Sequence, residues 1–228
     1  MRIYLVRHAD ADYRDDVLTD NGVREAHALA KRLADYRIDT FYSSPVRRAQ
    51  QTATIAAQHV GSMPTIEPWL AEPHDWRLDH PRWGSLAIWD IPGELVRARQ
   101  LEGKISELTH PTIRRHNAFL QAQSDTLLER HGYQREGEIY RCLHPHRQSI
   151  AVIAHHGIGL MWLAHLLALP LWLVWSGFWL APSSVTTILL DERSPEWATP
   201  RCLGLGDVSH LYQAGLPVQP RGIIGNFE

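Results

Sequence analysis

The chain has 228 residues, of which 44% are hydrophobic and 21% are charged, and its formal net charge at pH 7 is −2. This length and composition indicate one soluble globular domain, and the lack of a basic excess argues against a nucleic-acid-binding protein. The two cysteines, Cys142 and Cys202, are too few and too far apart for a disulfide framework or a zinc site. We therefore expect a cytoplasmic protein, because the apolar run 3–6 is also too short for a signal peptide.

Short apolar segments alternate with helical patterns along the first part of the chain and again near residue 150. Three segments are predicted to be buried strands: 2–7 (RIYLVR), 38–44 (IDTFYSS) and 148–154 (QSIAVIA). An amphipathic helix follows the first, in LTDNGVREAHALAKRLADY, and a second helix begins at Ser44 and Pro45. This alternation predicts an α/β fold with a mostly parallel central sheet and helices on both faces.

The regular pattern is lost between about residues 73 and 142. Three tryptophans lie in this region without a clear period: Trp76, Trp83 and Trp89. A longer helix is predicted over 111–130, with Thr109 before it and Pro111 at its start. We interpret 73–142 as a helical and irregular insertion that covers one end of the sheet, and 1–228 as a single domain.

A long apolar segment follows the third strand, because residues 155–190 contain no Asp, Glu, Lys or Arg. Its length would allow a membrane span, which needs about 20 residues. However, Gly157, Pro170 and Gly177 interrupt it, and no cluster of Lys or Arg flanks it. We predict a buried helix, a short second helix and a strand at SVTTILL, with a membrane-spanning helix as the alternative.

Polar side chains, most of them cations or imidazoles, follow the carboxyl ends of the predicted strands, where ligands bind to open parallel sheets. The residues are Arg7 and His8 after the first strand, Ser43, Ser44 and Arg48 after the second, and His155 and His156 after the third. Arginine binds phosphate oxygens through paired hydrogen bonds, and a neutral imidazole is a nucleophile. The combination predicts a site that takes a phosphoryl group onto nitrogen.

Four segments, LVRHADADY…LTDNG, YSSPVRRAQQTA, VIAHHGIGL and GDVSHL, resemble in this order the motifs of the histidine phosphatase superfamily, the phosphoglycerate-mutase-like proteins. The resemblance runs from Met1 to about Leu211 and is weakest in the predicted insertion. The run APSSVTTILLDER and the ending SHLYQAG further resemble a bacterial subgroup of histidine phosphatase family proteins. The resemblance implies the phosphoglycerate-mutase-like fold for this chain.

By this resemblance, His8 is the catalytic nucleophile that becomes phosphohistidine, and Arg7 and Arg48 bind the phosphoryl oxygens. The family pattern Ser-Pro-x-x-Arg-Ala places the phosphate ligand at Arg48. Its neighbour Arg47 is therefore expected to face solvent.

The resemblance also implies a second histidine, which donates a hydrogen bond to the phosphoryl group. His155 fits the family pattern better as this catalytic and phosphate-binding residue, and His156 is the alternative. Two positions depart from the pattern: Ala9 replaces a glycine after the nucleophile, and His156 replaces a glycine after the second histidine. The bulk of His156 is expected to narrow the site or to contact substrate.

A carboxylic acid is needed near His8 to protonate the leaving group. In the family it lies before the insertion, where IEPWLAEPHDW offers Glu67, Glu72 and Asp75. The register Trp-Leu-x-Glu favours Glu72 as the catalytic acid. Asp10, two residues after His8, is a weaker candidate for a role on the phosphate side.

Further substrate contacts are possible at a set of polar residues near the motifs: Asp10, Arg14, Arg77 and His156. The histidine pairs His74 and His80, and His144 and His146, lack the spacing and partners of a metal site, so we expect surface or substrate contacts for them. No metal and no cofactor is expected.

The sequence therefore predicts a metal-independent phosphatase that hydrolyses a small phosphorylated metabolite through a phosphohistidine on His8. Three alternatives remain: a phosphoglycerate mutase-type transferase, a phosphatase of phosphohistidine proteins, and a non-catalytic phosphate-binding member of the fold. No nucleic-acid or membrane partner is expected.

Overall fold

The computed structural model describes residues 1–73, 75–82, 84–100 and 111–223. Its strands are β1 (Arg2–Arg7), β2 (Ala11–Asp12), β3 (Val17–Leu18), β4 (Thr40–Ser43), β5 (Thr65–Ile66), β6 (Arg77–His80), β7 (Gly84–Ala87), β8 (Tyr133–Glu136), β9 (Ile139–Cys142), β10 (Ser149–Ala154), β11 (Val185–Asp191) and β12 (Trp197–Asp207). Its helices are α1 (Asp20–Asp35), α2 (Arg47–Gln58), α3 (Gly93–Gln100), α4 (Pro111–Arg130), α5 (His156–Leu166), α6 (Leu171–Gly177) and α7 (Ser209–Gln213). Single 3₁₀ turns form at Pro68–Leu70 and Ile88–Asp90.

Within the described ranges, eight strands form one sheet in the order β5-β4-β10-β1-β11-β12-β9-β8. The pairs on the β5 side of β1 are parallel, as predicted. The pairs on the other side are antiparallel, because β11 runs against β1 and a short turn returns the chain from β11 to β12. The predicted α/β class is confirmed, and the sheet is mixed.

The three predicted strands end at the same level, which brings distant parts of the chain together. Arg7 at the end of β1 lies opposite Ala154 at the end of β10, and Ile153 lies opposite Ser43 of β4. The next residues continue this register, because the amide of His8 donates to the carbonyl of Ala154 at 2.9 Å. The residues that follow these strands therefore share one edge of the sheet.

Helices cover both faces of the sheet, as predicted. On one face α1 and α2 pack on the sheet through a cluster that includes Leu29, Leu33 and Phe41. On the other face α4, α5 and α6 bury a second cluster, with Trp162 at its centre. The indole nitrogen of Trp162 donates to the Ser124 hydroxyl at 2.7 Å, so its polar atom is paired inside the core.

The LTDNG motif ties the start of α1 to the segment that follows His8. The Thr19 hydroxyl accepts a hydrogen bond from the Gly22 amide at 3.0 Å and donates to the Asp10 carboxylate at 2.8 Å. A Cβ atom on Gly22 would lie only 1.9 Å from the Asp10 carbonyl oxygen, so a larger residue would displace backbone. The glycine therefore sets how closely α1 approaches this segment.

The apolar segment after β10 forms the predicted buried helix, short second helix and strand, which are α5, α6 and β11. Every residue of α5 is buried in the protein core or at the sheet edge. In the part of the chain that the structure describes, no helix has both the length and the apolar character needed to cross a bilayer.

Residues 73–142 contribute to several parts of the fold. The β6–β7 hairpin and α3 follow the turn at 68–70 in the chain. The predicted helix over 111–130 is confirmed as α4. The β8–β9 hairpin extends the main sheet at the edge of β12. The division of the domain into a core and an insertion stays a prediction, and His74 and Trp83 lie outside the described residues.

Candidate active site

A cavity of about 410 Å³ opens at the sheet edge where β1 and β10 end. Its wall includes Arg7, His8, Arg48, Glu72, Arg77 and His156, and we call it the sheet-edge cavity. The strands, the α2 helix, the segment before β6 and the start of α5 each supply part of this wall. The structure therefore brings together most of the groups that the motifs predict.

His8 is buried and held in one tautomer. Its Nδ1 lies 2.8 Å from the Ala9 carbonyl oxygen, to which it must donate a hydrogen. Its Nε2 accepts a hydrogen bond from Arg48 Nε at 3.1 Å. Burial, followed by the charges of Arg7 and Arg48, holds the pKa of His8 well below its usual value. The imidazole is therefore neutral, with its lone pair on Nε2.

Arg48 is buried and connects three side chains around the cavity. Besides His8, its Nη2 donates to His155 Nδ1 at 3.1 Å, and its Nη1 forms an ion pair with Asp16. Asp16 also accepts from the Arg47 amide at 3.0 Å, which fixes the start of α2. The Arg47 side chain is exposed, as the motif predicts.

Arg7 is buried beside His8 and is held by oxygen atoms. Its Nη1 donates to the carbonyls of Leu180 at 2.6 Å and Arg221 at 3.0 Å, and its Nη2 donates to the Tyr13 hydroxyl at 3.2 Å. Its Nε is buried and has no hydrogen-bond partner among the described residues. A buried guanidinium with a spare donor on a cavity wall can bind an anion there.

The two neighbouring histidines occupy different environments. His155 is fully buried, accepts from Arg48 at Nδ1 and donates from Nε2 to the Ser44 hydroxyl at 2.8 Å, and it is not part of the cavity wall. His156 is on the wall, and its Nδ1 accepts from the Leu180 amide at 3.3 Å, which leaves the hydrogen on Nε2. Burial, with a further contribution from Arg7, lowers the pKa of His156 to about 3, so it is a neutral donor.

Of the three candidate acids, only Glu72 is part of the cavity wall. Its carboxylate accepts from the amides of Gly157 at 3.1 Å and Ile158 at 2.7 Å, at the first turn of α5. Burial raises the pKa of Glu72 to about 7, although these two amides oppose the change. Glu67 instead bonds the Trp69 indole and Arg130, and the exposed Asp75 lies on a different cavity.

The four possible substrate contacts separate into two pairs. Arg77 and His156 are on the cavity wall, and Arg77 is held there by the hydroxyl and the carbonyl of Ser85. Asp10 and Arg14 are not part of this wall. Asp10 is buried against Thr19 and Arg221, and Arg14 is exposed and paired with Asp12.

Three polar wall residues were not among the predicted site residues: Tyr13, Asp90 and Arg221. Tyr13 ends the first motif, whereas Asp90 and Arg221 lie outside the motifs. Burial raises the pKa of Asp90 to about 6, which places a second titrating acid in the cavity. Arg221 is far from the motifs in the chain and is held by Asp10 at 2.6 Å, so only the folded structure reveals it.

The histidines outside the cavity do not form a metal site in the described part of the chain. No group of three or more His, Cys, Asp or Glu side chains there has metal-binding geometry. His146 Nε2 lies 2.7 Å from the His131 carbonyl oxygen, and His80 accepts from the Arg82 amide at 3.1 Å. His74 lies outside the described residues.

Comparison with known proteins gives a family for these motifs. Residues 3–80 match the model of the histidine phosphatase superfamily, branch 1. Over these residues, about a third of the chain, the protein is similar to this superfamily. The matched residues contain Arg7, His8, Arg48 and Glu72, so the family match covers most of the cavity wall described above.

Individual relatives match this chain over part of their sequence. A protein from Yersinia pestis named "Probable phosphoglycerate mutase GpmB" is 35% identical over 81 residues, which cover 32% of this chain and 38% of that protein. The chain thus spans about two-fifths of the length of the curated relatives it matches.

Solved structures share the fold over most of the chain. Phosphoserine phosphatase from Entamoeba histolytica in complex with 3-phosphoglyceric acid has a TM-score of 0.63 and 19% sequence identity, and the match covers 92% of this chain and 98% of that chain. Alpha-ribazole phosphatase from Shigella flexneri has a TM-score of 0.62 and 20% identity, with 91% and 97% covered. These matches establish the fold.

The contrast between Arg48 and Arg47 gives a direct test of the anion site. We expect Arg48→Ala to weaken the binding of inorganic phosphate about 10- to 100-fold, because charge-assisted hydrogen bonds are lost. The matched control Arg47→Ala removes an exposed cation from the neighbouring position and should change affinity less than about twofold. Titration calorimetry measures both, and equal losses would place the anion outside this cavity.

Proposed function

We propose that this protein is a histidine phosphatase, which hydrolyses a small phosphomonoester through a phosphohistidine on His8. The observation that carries the proposal is the neutral His8 imidazole, fixed by the Ala9 carbonyl and flanked by two buried arginines on a cavity wall. The two guanidinium groups supply the positive charge that phosphoryl transfer requires, so we propose a metal-independent reaction.

In the first step His8 Nε2 attacks phosphorus, and the bond from phosphorus to the ester oxygen breaks. Arg48 Nε, which donates to Nε2 before substrate binds, then turns its hydrogen bond to a phosphoryl oxygen. Arg7 adds its unpaired Nε donor. Glu72 is protonated over part of the neutral pH range and gives its proton to the departing alkoxide.

In the second step water hydrolyses the phosphohistidine. Glu72, now a carboxylate, takes a proton from the attacking water, and the phosphorus–nitrogen bond breaks to return neutral His8. A pKa of about 7 suits a group that must act as acid and then as base at neutral pH. The Ala9 carbonyl accepts the Nδ1 hydrogen throughout, which stabilises the positive charge that the ring gains on phosphorylation.

The cavity geometry favours His156, and not His155, as the histidine that contacts the phosphoryl group. We propose that His156 Nε2 donates to a phosphoryl oxygen, because His156 is on the wall and its Nδ1 already accepts from Leu180. His155 would then be a positioning residue, which holds Arg48 Nη2 and is itself held by Ser44.

Phosphoryl transfer to a second hydroxyl is the alternative function, and the similarity to the Yersinia pestis phosphoglycerate mutase over 81 residues favours it. Both reactions use the same phosphohistidine and differ in whether water or an alcohol accepts the group. Isomerisation of phosphoglycerate faster than phosphate release would favour the mutase. A non-catalytic phosphate-binding role would leave the raised pKa of Glu72 without a use.

His8→Ala should abolish turnover, with kcat lowered by roughly 10³-fold or more, because the nucleophile is lost. Labelled substrate should give an acid-labile, base-stable phosphoenzyme with the wild type and none with the variant. The control His27→Ala removes an exposed imidazole on α1 and should keep both signals. Undiminished hydrolysis by His8→Ala would rule out the proposed mechanism.

The role of Glu72 predicts a pH profile. For an alkyl phosphate, kcat/KM should fall above about pH 7, because the folded-state pKa of Glu72 is raised and the acid form is lost as pH rises through it. Glu72→Gln should lose roughly 100-fold or more with this ester and much less with p-nitrophenyl phosphate, whose leaving group departs as an anion.

Two other acids serve as controls for this profile. Asp75→Asn changes an exposed carboxylate and should leave the fall in kcat/KM above about pH 7 unchanged. If kcat/KM instead falls near pH 6, and this fall disappears in Asp90→Asn, the proton donor is Asp90, whose pKa is about 6.

A matched pair of asparagine variants separates the two histidines. Asparagine has a polar atom near the position of histidine Nδ1 and no atom at the position of Nε2. Each variant therefore keeps the hydrogen bond made at Nδ1 and loses the one made by Nε2. We expect His156→Asn to lower kcat/KM by about 10- to 100-fold and to weaken phosphate binding, because the oxyanion donor is lost. His155→Asn should lower kcat/KM less than about fivefold, since its hydrogen bond to Arg48 is kept. The opposite order would return the phosphate contact to His155.

A further inference from the structure

A second cavity of about 500 Å³ adjoins the sheet-edge cavity. The two cavities share Trp89, Asp90, His156 and Gly222 on their walls, so they lie side by side. We call the second one the aromatic compartment. Small-molecule sites commonly occupy 300–1,000 Å³, and a phosphoryl group next to His8 would leave this space for the rest of the substrate.

The aromatic compartment differs from the sheet-edge cavity in its side chains. Its wall carries Trp89, Trp175, Phe178 and Trp179. Its charged wall residues within the described part of the chain are the acids Asp90 and Glu94, with no Lys or Arg. The sheet-edge cavity instead carries Arg7, Arg48, Arg77 and Arg221. The arginines therefore lie on the His8 side, and the aromatic compartment has only acids among its charged wall residues in the described part of the chain.

Trp89 is fixed at the boundary between the two cavities. A Cβ atom on Gly157 would lie 2.3 Å from Trp89 Cδ2, so the indole packs directly on the backbone of the first turn of α5. The Trp175 indole nitrogen donates to the Gly157 carbonyl at 3.0 Å, which holds a second ring against the same turn. Both rings are thus oriented before any ligand arrives.

The compartment also has a polar atom without a partner. Ser176 Oγ is buried and makes no hydrogen bond within the described residues. A purely hydrocarbon ligand would leave this hydroxyl and the partly buried carboxylate of Asp90 unpaired, which is unfavourable. A second phosphate or carboxylate would be repelled by the two acids.

We propose that the aromatic compartment binds the leaving-group end of the substrate, and that this end is a flat ring that carries positive charge or donates hydrogen bonds. Such a ring stacks on indole faces and is attracted by both their quadrupole and the carboxylates. The inference rests on the proposed function, because His8 defines which end of the substrate is phosphorylated.

Three phosphate esters test the proposal. Nicotinamide mononucleotide carries a pyridinium ring with a carboxamide on ribose 5-phosphate. Nicotinic acid mononucleotide has a carboxylate in place of that carboxamide, and ribose 5-phosphate lacks the ring. We expect kcat/KM for nicotinamide mononucleotide to exceed that for ribose 5-phosphate roughly 10-fold or more, as for a stacked base. The nicotinic acid compound should lose much of this gain.

Phe178→Ala should lower the ratio of kcat/KM for nicotinamide mononucleotide to kcat/KM for ribose 5-phosphate by about fivefold. The matched control is Phe119→Ala, which removes an exposed phenylalanine of α4 outside both cavities and should leave this ratio unchanged. An equal ratio in wild type and Phe178→Ala, or a preference for hexyl phosphate over the pyridinium ester, would overturn the proposal.

Binding to His8→Ala, measured by calorimetry, separates this inference from the proposed function. If the wild type forms a phosphoenzyme but neither turnover nor binding prefers the pyridinium ester, the compartment inference fails alone. If no phosphoenzyme forms and His8→Ala still binds nicotinamide mononucleotide about 10-fold more tightly than ribose 5-phosphate, the proposed function fails and the compartment inference stands.

Discussion

The buried guanidinium of Arg48 is the constraint on which the site depends. It donates to Nε2 of His8 and to Nδ1 of His155, and both nitrogens can accept only when their rings are neutral. Arginine keeps its charge under any condition that a folded protein meets. One fixed cation therefore sets the protonation and the tautomer of two imidazoles, and the Asp16 carboxylate partly neutralises it from outside.

Hydrogen bonds explain why a buried strand can end in a cation and an imidazole. Burying the charge of Arg7 without partners would be unfavourable, but its Nη atoms donate hydrogen bonds to two carbonyls and to the Tyr13 hydroxyl. The same burial lowers the pKa of His8, since a further positive charge beside Arg7 and Arg48 could not be solvated there. Burial thus keeps the His8 imidazole neutral, as the proposed nucleophile requires, and the Nε of Arg7 has no partner among the described residues.

The sequence predicted the part of the site that local patterns determine. Residues at the ends of β1, β4 and β10 were predictable because parallel strands in register bring their carboxyl ends to one edge. The antiparallel half of the sheet was not, because β11 and β12 have no helix between them to signal their direction. The sequence also does not determine which of His155 and His156 faces the cavity, because this depends on how the start of α5 is oriented. Arg221 reaches the cavity through Asp10, a contact that spans the chain and leaves no local pattern.

The first turn of α5 connects the chemistry at His8 to the choice of substrate. Its amides at Gly157 and Ile158 bind Glu72, its first side chain is His156, and Gly157 receives the indole of Trp89. A side chain at position 157 would therefore displace Trp89 and disturb the turn that holds the acid. In the proposed function, this one piece of backbone serves both catalysis, through Glu72 and His156, and recognition, through Trp89. On that proposal, variation in the aromatic compartment alters which alcohol is accepted, while the arginines and His8 keep the same geometry for phosphorus.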